Sequence, residues 1–188
     1  CAKREEFVAY ANNFQQNQFF HAPIYTFVYP MVYMLFTLNM KTSEKGIELI
    51  KHFEGCRLEP YRCSADVLTI GYGHTRNVIE NMKITEDTAE ALLQQDLKDF
   101  EDHVTSLSQV ELNQDQFDAL VSWTFNLGAG NLKTSTMLKV LNQKKYDEVP
   151  EQMKRWNKSA GVVNDGLVKR RLAESLLFLG EDWKTNNN

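Results

Sequence analysis

The sequence predicts an α+β domain that is mostly helical and carries one small antiparallel β-sheet near its start. Apolar residues recur at helical spacing over most of the chain from Ser43 onward, which indicates helices. One short stretch, 61–72, is instead β-prone and rich in glycine, which indicates a hairpin. The 188 residues suffice for one domain with a real core and an appendage.

The composition is that of a soluble globular protein. Apolar residues make up 43% of the chain and charged residues 24%, and the formal net charge is −4 with no block of five like charges. Phosphate binding needs clustered cations, so the charge pattern argues against nucleic acid as a partner. Three cysteines are too few for a disulfide scaffold, and one thiol must be free or exchangeable. No Cys or His cluster has zinc-like spacing, so we expect no metal, and no cofactor is needed.

The chain divides into an N-terminal extension, 1–39, and a domain, 40–188. Residues 1–21 are rich in Asn and Gln, and the hydrophobic segment 22–38 follows without a charge. A membrane-spanning helix needs about 20 apolar residues, so this segment is marginal, and its two prolines weaken it further. Three interpretations stay open: a hairpin packed on the domain, sequence upstream of a natural start at Met40, or a membrane anchor or export segment. The first two together are favoured.

The first helix of the domain begins after Ser43, which can cap a helix whose first turn is acidic at Glu44. Apolar residues then recur every three positions on one face: Ile47, Ile50 and Phe53. Glu54 lies at or just past the end of this helix. The predicted hairpin over 61–72 follows it.

The remaining elements are helical. Thr85, followed by two acidic residues, begins a second helix, and Asn113 caps a third that ends at Gly128. Three further helices are predicted over residues 135–143, 148–156 and 168–179.

Residues 54–75 carry the chemistry. A general acid that protonates a leaving oxygen must hold its proton near neutral pH, which a partly apolar pocket allows. Glu54 follows an apolar helical run, so a partly apolar pocket for such an acid is possible. Taken alone, a glutamate at a helix end is more often a solvated residue.

The spacing of three polar residues reverses that expectation. Eight residues separate Glu54 from Cys63 and five separate Cys63 from Thr69, which resembles the glutamate–aspartate–threonine triad of the phage-type lysozymes. Four segments resemble that family in sequence: Glu-Gly-Cys-Arg-Leu-Glu-Pro-Tyr at 54–61, Thr-Ile-Gly-Tyr-Gly-His-Thr at 69–75, Trp-Thr-Phe-Asn-Leu-Gly at 123–128 and Gly-Leu-Val-Lys-Arg-Arg-Leu-Ala-Glu at 166–174. The resemblance spans 40–183. It implies a lysozyme-like fold with a small sheet lobe, a larger helical lobe and a cleft between them.

The resemblance also implies roles for individual residues. Glu54 would be the general acid, and Thr69 would hydrogen-bond the attacking water. Phe125 would line the sugar cleft, or else belong to the plain core. His74 would be a structural, ion-paired histidine. The basic residues 169–171 could supply a cation near Glu54, although we expect at least two of the three to lie on a solvated helix face.

Cys63 stands where the family has its aspartate. A thiolate could orient or deprotonate water, which would invert the anomeric centre, or attack the sugar directly, which would retain it. The sequence leaves both routes open. Asp66, three residues on, is the competing second group, but only Cys63 has the spacing of the motif.

The cysteines also resemble those of the signal-anchor-release endolysins, some of which carry a glutamate–cysteine–threonine triad. That resemblance implies an enzyme silenced by a Cys56–Cys63 disulfide and activated when Cys1 pairs with Cys56. Two departures oppose it, because the hydrophobic segment is aromatic rather than rich in Gly and Ala, and Cys1 lies about twenty residues upstream of it. A static Cys56–Cys63 bridge or free thiols in a reducing cytoplasm are the alternatives.

The resemblance implies a monomeric endolysin. It would hydrolyse the β-1,4 bond between N-acetylmuramic acid and N-acetylglucosamine in bacterial peptidoglycan and so lyse the host cell. It would be made in the host cytoplasm and act in the periplasm, with possible inner-membrane association through residues 22–38. One rival is a catalytically inactive wall-binding protein with the same fold. Another is a membrane-disrupting protein that works through residues 22–38.

Overall fold

The computed structural model of the protein describes residues 40–63 and 66–184. These residues fall within the compact unit Thr37–Asn188. The predictions for Cys1, for the extension 1–39 and for its hydrophobic segment 22–38 lie outside the described residues. Within the described ranges, no helix combines the length and the apolar character that crossing a bilayer requires.

The described part of the chain contains seven α-helices and two β-hairpins. In chain order they are α1 Glu44–Glu54, β1 Arg57–Arg62, β2 Leu68–Gly71, α2 Glu86–Leu107, α3 Gln114–Leu127, α4 Ala129–Thr134, α5 Thr136–Asn142, a 3-10 turn Tyr146–Glu148, α6 Val149–Lys154, β3 Lys158–Ser159, β4 Val162–Val163 and α7 Asp165–Phe178. The predicted class, a mostly helical α+β fold with a small antiparallel sheet, is confirmed.

The start of α1 is tied to two other helices, and this fixes the direction in which the helix runs. Ser43 does precede α1, but its side chain does not cap the helix. The Ser43 hydroxyl and backbone N–H instead donate to buried Asp118 on α3. The backbone N–H and the hydroxyl of Thr42 both donate to Glu101 on α2, at 2.7 Å. Glu54, the last residue of α1, is thereby held at a defined place.

The β1–β2 hairpin follows directly from the end of α1. Gly55 has a φ of +67°, a conformation that favours glycine, and lets the chain leave the helix for the strand. The strands pair antiparallel with Tyr61 opposite Thr69, and the register is irregular between Arg57 and Tyr61. Pro60 lies in this irregular part, where it cannot donate to the ladder. The hairpin is confirmed and begins four residues earlier than predicted.

Helix α3 is the centre of the core and contacts α1, α2 and α7. Its buried side chains include Phe117, Leu120, Val121 and Trp123. The predicted cap Asn113 forms a capping box with Gln116, and the predicted cap Thr85 accepts from the backbone N–H of Thr88 at the start of α2. Both predicted helix starts are therefore confirmed.

Three features were not predicted. Helix α4 has six residues, too few to show helical periodicity. Strands β3 and β4 have two residues each. Helix α7 begins at Asp165, three residues before the predicted start at residue 168, because Asn164 caps it by accepting from the backbone N–H of Leu167 at 2.9 Å.

Candidate active site

Glu54 is anchored by a buried arginine from the last helix. Its Oε1 lies 2.6 Å from Nη1 of Arg170, and the Arg170 side chain is only 4% exposed. Glu54 itself is 22% exposed. Its other oxygen, Oε2, lies beside Gly73, 3.9 Å from the position that a side-chain Cβ would occupy there. One carboxylate oxygen is therefore held by Arg170, while the other accepts no hydrogen bond from the residues that the structure describes.

A buried charge network holds Arg170 in turn. Glu174, one turn further along α7, is completely buried and lies 3.2 Å from Arg170 Nε. Glu174 also accepts from Ser122 Oγ at 2.8 Å and pairs with Arg171, which donates to Asn126 Oδ1 at 2.8 Å. Burial lowers the pKa of Arg171, and the neighbouring Arg170 charge adds to this effect. The arginines and Glu174 thus form a rigid support behind Glu54.

One expectation about the basic residues of α7 is wrong. We expected at least two of Lys169, Arg170 and Arg171 to be solvated, but only Lys169 is exposed. The reason is that this part of α7 packs against α3, with Glu174 as a shared counter-ion. Glu174 follows Arg170 by four residues, a spacing that indicates a helical ion pair and could have signalled the arrangement.

A cavity of about 270 Å³ opens beside Glu54. Its walls are formed by Glu54, Gly73, Thr75, Arg76, Asp96, Asp99, Phe100, Phe125 and Asn126. Phe125 is half-buried, and its ring lies edge to face with Phe100 at 5.1 Å. Phe125 therefore lines the cavity while one side packs on the core. A larger cavity of about 640 Å³, between the start of α1 and α2, contains none of the predicted site residues.

The sheet presents the other predicted residues on one face. Thr69 lies opposite Tyr61, and the backbone N–H of Cys63, two residues on, donates to Val67 O at 3.0 Å. Opposed residues of an antiparallel pair share a face, so Tyr61 and Thr69 lie on the same side. Cys63 is one residue beyond β1, and its hydrogen bond to Val67 O continues the ladder, which places Cys63 on that side as well. Burial raises the pKa of Tyr61, and the nearby Glu54 and Cys63 raise it further, so both groups lie within electrostatic reach of its phenol.

The structure distinguishes the two candidates for the second group. Asp66 lies in the turn with a φ of +60°, and its side chain is 84% exposed beside Arg62. Cys63 is half-buried, on the face that also carries Thr69. Thr69 is 3% exposed, and its hydroxyl donates to Val67 O at 2.9 Å, which leaves the oxygen lone pairs as acceptors. Cys63 is therefore the less exposed of the two candidates.

The two described cysteines lie at opposite ends of β1. Cys56 is exposed and precedes the strand, and Cys63 follows it. At about 3.3 Å per residue, an extended strand places their Cα atoms on the order of 20 Å apart. A disulfide requires a Cα separation below about 7 Å. A static Cys56–Cys63 bridge is therefore incompatible with the folded β1 strand.

His74 occupies a structural position, as predicted. It is buried, with Nδ1 2.8 Å from Asp96 Oδ2 and Nε2 2.8 Å from the carbonyl oxygen of Arg76. This interaction fastens the loop after β2 to α2.

Comparison with known proteins agrees with this architecture. The family model described as Phage lysozyme matches residues 51–174. The chain is 45% identical over 148 residues to an endolysin of Bacillus phage B103, an alignment covering 77% of this chain and 56% of that protein. It is 35% identical over 153 residues to a SAR-endolysin of Haemophilus phage HP1, covering 75% of this chain and 82% of the relative.

The fold is likewise similar to a solved structure. A mutant of P22 lysozyme superposes with a TM-score of 0.69 at 40% identity, covering 75% of this chain and 99% of the other. The chain spans little more than half the length of the B103 endolysin, at 56%. The matched residues include Glu54, Cys63, Thr69, Phe125 and the buried charge network. The chain therefore belongs to the phage lysozyme family.

Proposed function

We propose that this chain is an endolysin with muramidase activity. It hydrolyses the β-1,4 bond between N-acetylmuramic acid and N-acetylglucosamine in peptidoglycan and so causes lysis of the host cell. The observation that carries the proposal is the anchored Glu54 at the wall of a cavity sized for a sugar unit. Membership of the phage lysozyme family supports it.

Glu54 acts as the general acid. Arg170 holds Oε1, so Oε2 is the oxygen that carries the proton to the leaving glycosidic oxygen. Because Glu174 fixes Arg170 from behind, the carboxyl cannot swing away when the substrate enters. Phe125 provides an apolar wall for the sugar in the same cavity.

Thr69 and Cys63 act on the attacking water. The Thr69 hydroxyl gives its own hydrogen to Val67 O, so its oxygen accepts one hydrogen from the water. The Cys63 thiolate accepts the other, which leaves a lone pair of the water oxygen directed at the anomeric carbon. Two acceptors on one face of the sheet fit a water nucleophile, so we propose inversion of the anomeric centre. Direct attack by Cys63 would instead retain it.

The experiment that tests the function compares the protein with its Glu54→Gln variant on a purified cell-wall suspension. The rate at which the suspension loses turbidity should be at least about 100-fold lower in the variant, while wall binding is retained. This factor is the lower limit of what general acid catalysis contributes. Glu59→Gln is the matched control, because Glu59 is exposed in the same hairpin and, among the described residues, pairs only with Lys83. The inactive wall-binding alternative predicts no turbidity loss even with the unchanged chain.

We propose, in addition, that oxidation controls this activity. Similarity to the HP1 SAR-endolysin supports a form tethered to the membrane before release. Because Cys56 and Cys63 cannot meet across an intact β1, a bridge between them would require the strand to come apart. The oxidised form would lack the face that carries Thr69 and Cys63, and pairing of Cys1 with Cys56 would restore it.

A further inference from the structure

Arg76 shares the cavity wall with Glu54, although no step of the proposed hydrolysis uses it. It lies in the loop after β2, and its side chain is 54% exposed. Its Nη2 lies 3.2 Å from Asp96 Oδ1 and 2.9 Å from Asp99 Oδ2, both on α2. The guanidinium is therefore held in one orientation at the edge of the cavity.

The hydrogen-bonding capacity of this cluster is only partly used. A guanidinium has donors on three nitrogens, and among the described residues only Nη2 of Arg76 is engaged. Asp96 has both oxygens occupied, by His74 and by Arg76. Asp99 uses one oxygen, so its second oxygen remains an acceptor within the described part of the chain. The wall thus offers adjacent unused donors and one unused acceptor.

The remaining surroundings fit a single uncharged sugar. A sphere of this volume is about 8 Å across, below the size of a pocket for a drug-sized ligand. Phe100 and Phe125 give it an aromatic side, on which the apolar face of a pyranose can pack. Three acidic residues and one basic residue line the cavity, namely Glu54, Asp96, Asp99 and Arg76, so nothing here favours an anionic group.

We propose that Arg76 is a specificity-determining residue that recognises the N-acetyl group of the sugar bound beside Glu54. Arg76 donates from Nε or Nη1 to the acetamido carbonyl, and Asp99 accepts from a hydroxyl of the same sugar. An acetamido oxygen is the strongest uncharged acceptor on these sugars, and arginine has no acceptor with which to bind a donor. The inference rests on the proposed function, because it names the substrate group recognised at that site.

A purely structural role would have different consequences. The contacts of Arg76 with Asp96 and Asp99 also connect the loop after β2 to α2. If they served only as a clamp, removal of Arg76 would weaken every glycan equally and lower the melting temperature. If Arg76 binds the acetamido group, its removal would weaken only N-acetylated glycans.

The test measures binding by calorimetry in the non-hydrolysing Glu54→Gln background. The probes are the peptidoglycan tetrasaccharide and an analogue in which hydroxyl groups replace the acetamido groups, so that both probes carry the same charge. Arg76→Ala should weaken binding of the acetylated probe by about 10-fold, the loss of one charge-assisted hydrogen bond, and change the other by less than 2-fold. Arg62→Ala is the control, since Arg62 is 52% exposed, pairs with Glu80 on the same lobe and does not line the cavity.

The results separate this inference from the proposed function. Equal weakening of both probes, or no weakening of either, overturns the role of Arg76 even if the unchanged protein hydrolyses cell walls. Arg76→Lys should recover less than half of the lost affinity, because the ammonium keeps the charge without the planar set of donors. Full recovery by lysine would also overturn the assignment. Absence of hydrolysis by the unchanged protein, with selective binding intact, would refute the proposed activity alone.

Discussion

Glu174→Gln changes the side chain by little more than one atom, yet it should strongly lower the free energy of unfolding. Glu174 is fully buried, and its Oε1 accepts from Ser122, Arg170 and Arg171 at 2.8, 3.2 and 3.2 Å. Glu174 and Glu54 together balance the charges of the two buried arginines. An amide in place of Glu174 leaves one positive charge without compensation, and its NH₂ group faces arginine N–H groups, which only donate.

The expected loss follows from the burial of this network. Breaking a buried ion pair by removing one partner costs about 3–5 kcal/mol. For a protein of this length, 1 kcal/mol shifts the melting temperature by about 2–4 °C, so we expect a fall of roughly 6–20 °C. Glu151→Gln is the control, because Glu151 is 70% exposed and pairs with Lys154 within α6. Such a surface pair contributes less than about 1 kcal/mol.

Urea unfolding at neutral pH, followed by circular dichroism, measures both variants. A lower midpoint with an unchanged slope would report a loss of folding free energy. The double variant Arg171→Met with Glu174→Gln restores the charge balance and should recover more than about 1 kcal/mol of the loss. Equal stability of Glu174→Gln and Glu151→Gln, or no recovery in the double variant, would refute the electrostatic reasoning.

Three further predictions concern the second catalytic group, oxidation and pH. Cys63→Ala should lower wall lysis by at least about 100-fold while Asp66→Ala changes it less than 2-fold, and the reverse order would assign the role to Asp66. Protein with a Cys56–Cys63 bridge, identified by intact mass, should be inactive until a mild reductant is added; equal lysis before and after reduction would exclude a blocking disulfide. Burial raises the pKa of Asp118 above its ordinary 3.8. The folded state therefore holds the proton more tightly than the unfolded chain does. As the pH rises above that value, ionisation of Asp118 lowers the free energy of unfolding. The stability of Asp118→Asn, measured by urea unfolding between pH 4 and 7, should therefore fall less with rising pH than that of the original chain, and an equal fall in both would contradict this prediction.

Much of the local structure was predictable because each signal lies within a few neighbouring residues. The caps at Thr85 and Asn113 each satisfy a backbone donor three positions away, so the sequence alone places both helix starts. Helix α4 and the β3–β4 hairpin were not predicted, because elements of six and two residues are too short to show a periodicity of apolar residues. The start of α7 was missed although Asn164 followed by an acidic residue is a local signal.

The candidate site, like the fold, was predictable only where its signals are local in the sequence. Glu54, Cys63 and Thr69 lie within one helix end and one hairpin, so their spacing is a local signal. The hairpin ladder does place Cys63 and Thr69 on one face. The sequence could not predict which basic residue of α7 meets Glu54. That contact joins residues 116 positions apart, and it depends on the side of α7 that packs against α3.

The sequence by itself determined the family, the mostly helical class and the spacing of the three predicted catalytic residues, because these depend on local chemistry and short-range order. The tertiary structure alone decided that Arg170 and Arg171 are buried, that Arg76 shares a cavity with Glu54, and that Cys56 and Cys63 are held apart by a strand. The physical reason is that a charge or a thiol acquires its chemical environment from elements distant in the chain. That environment is set only when those elements pack together.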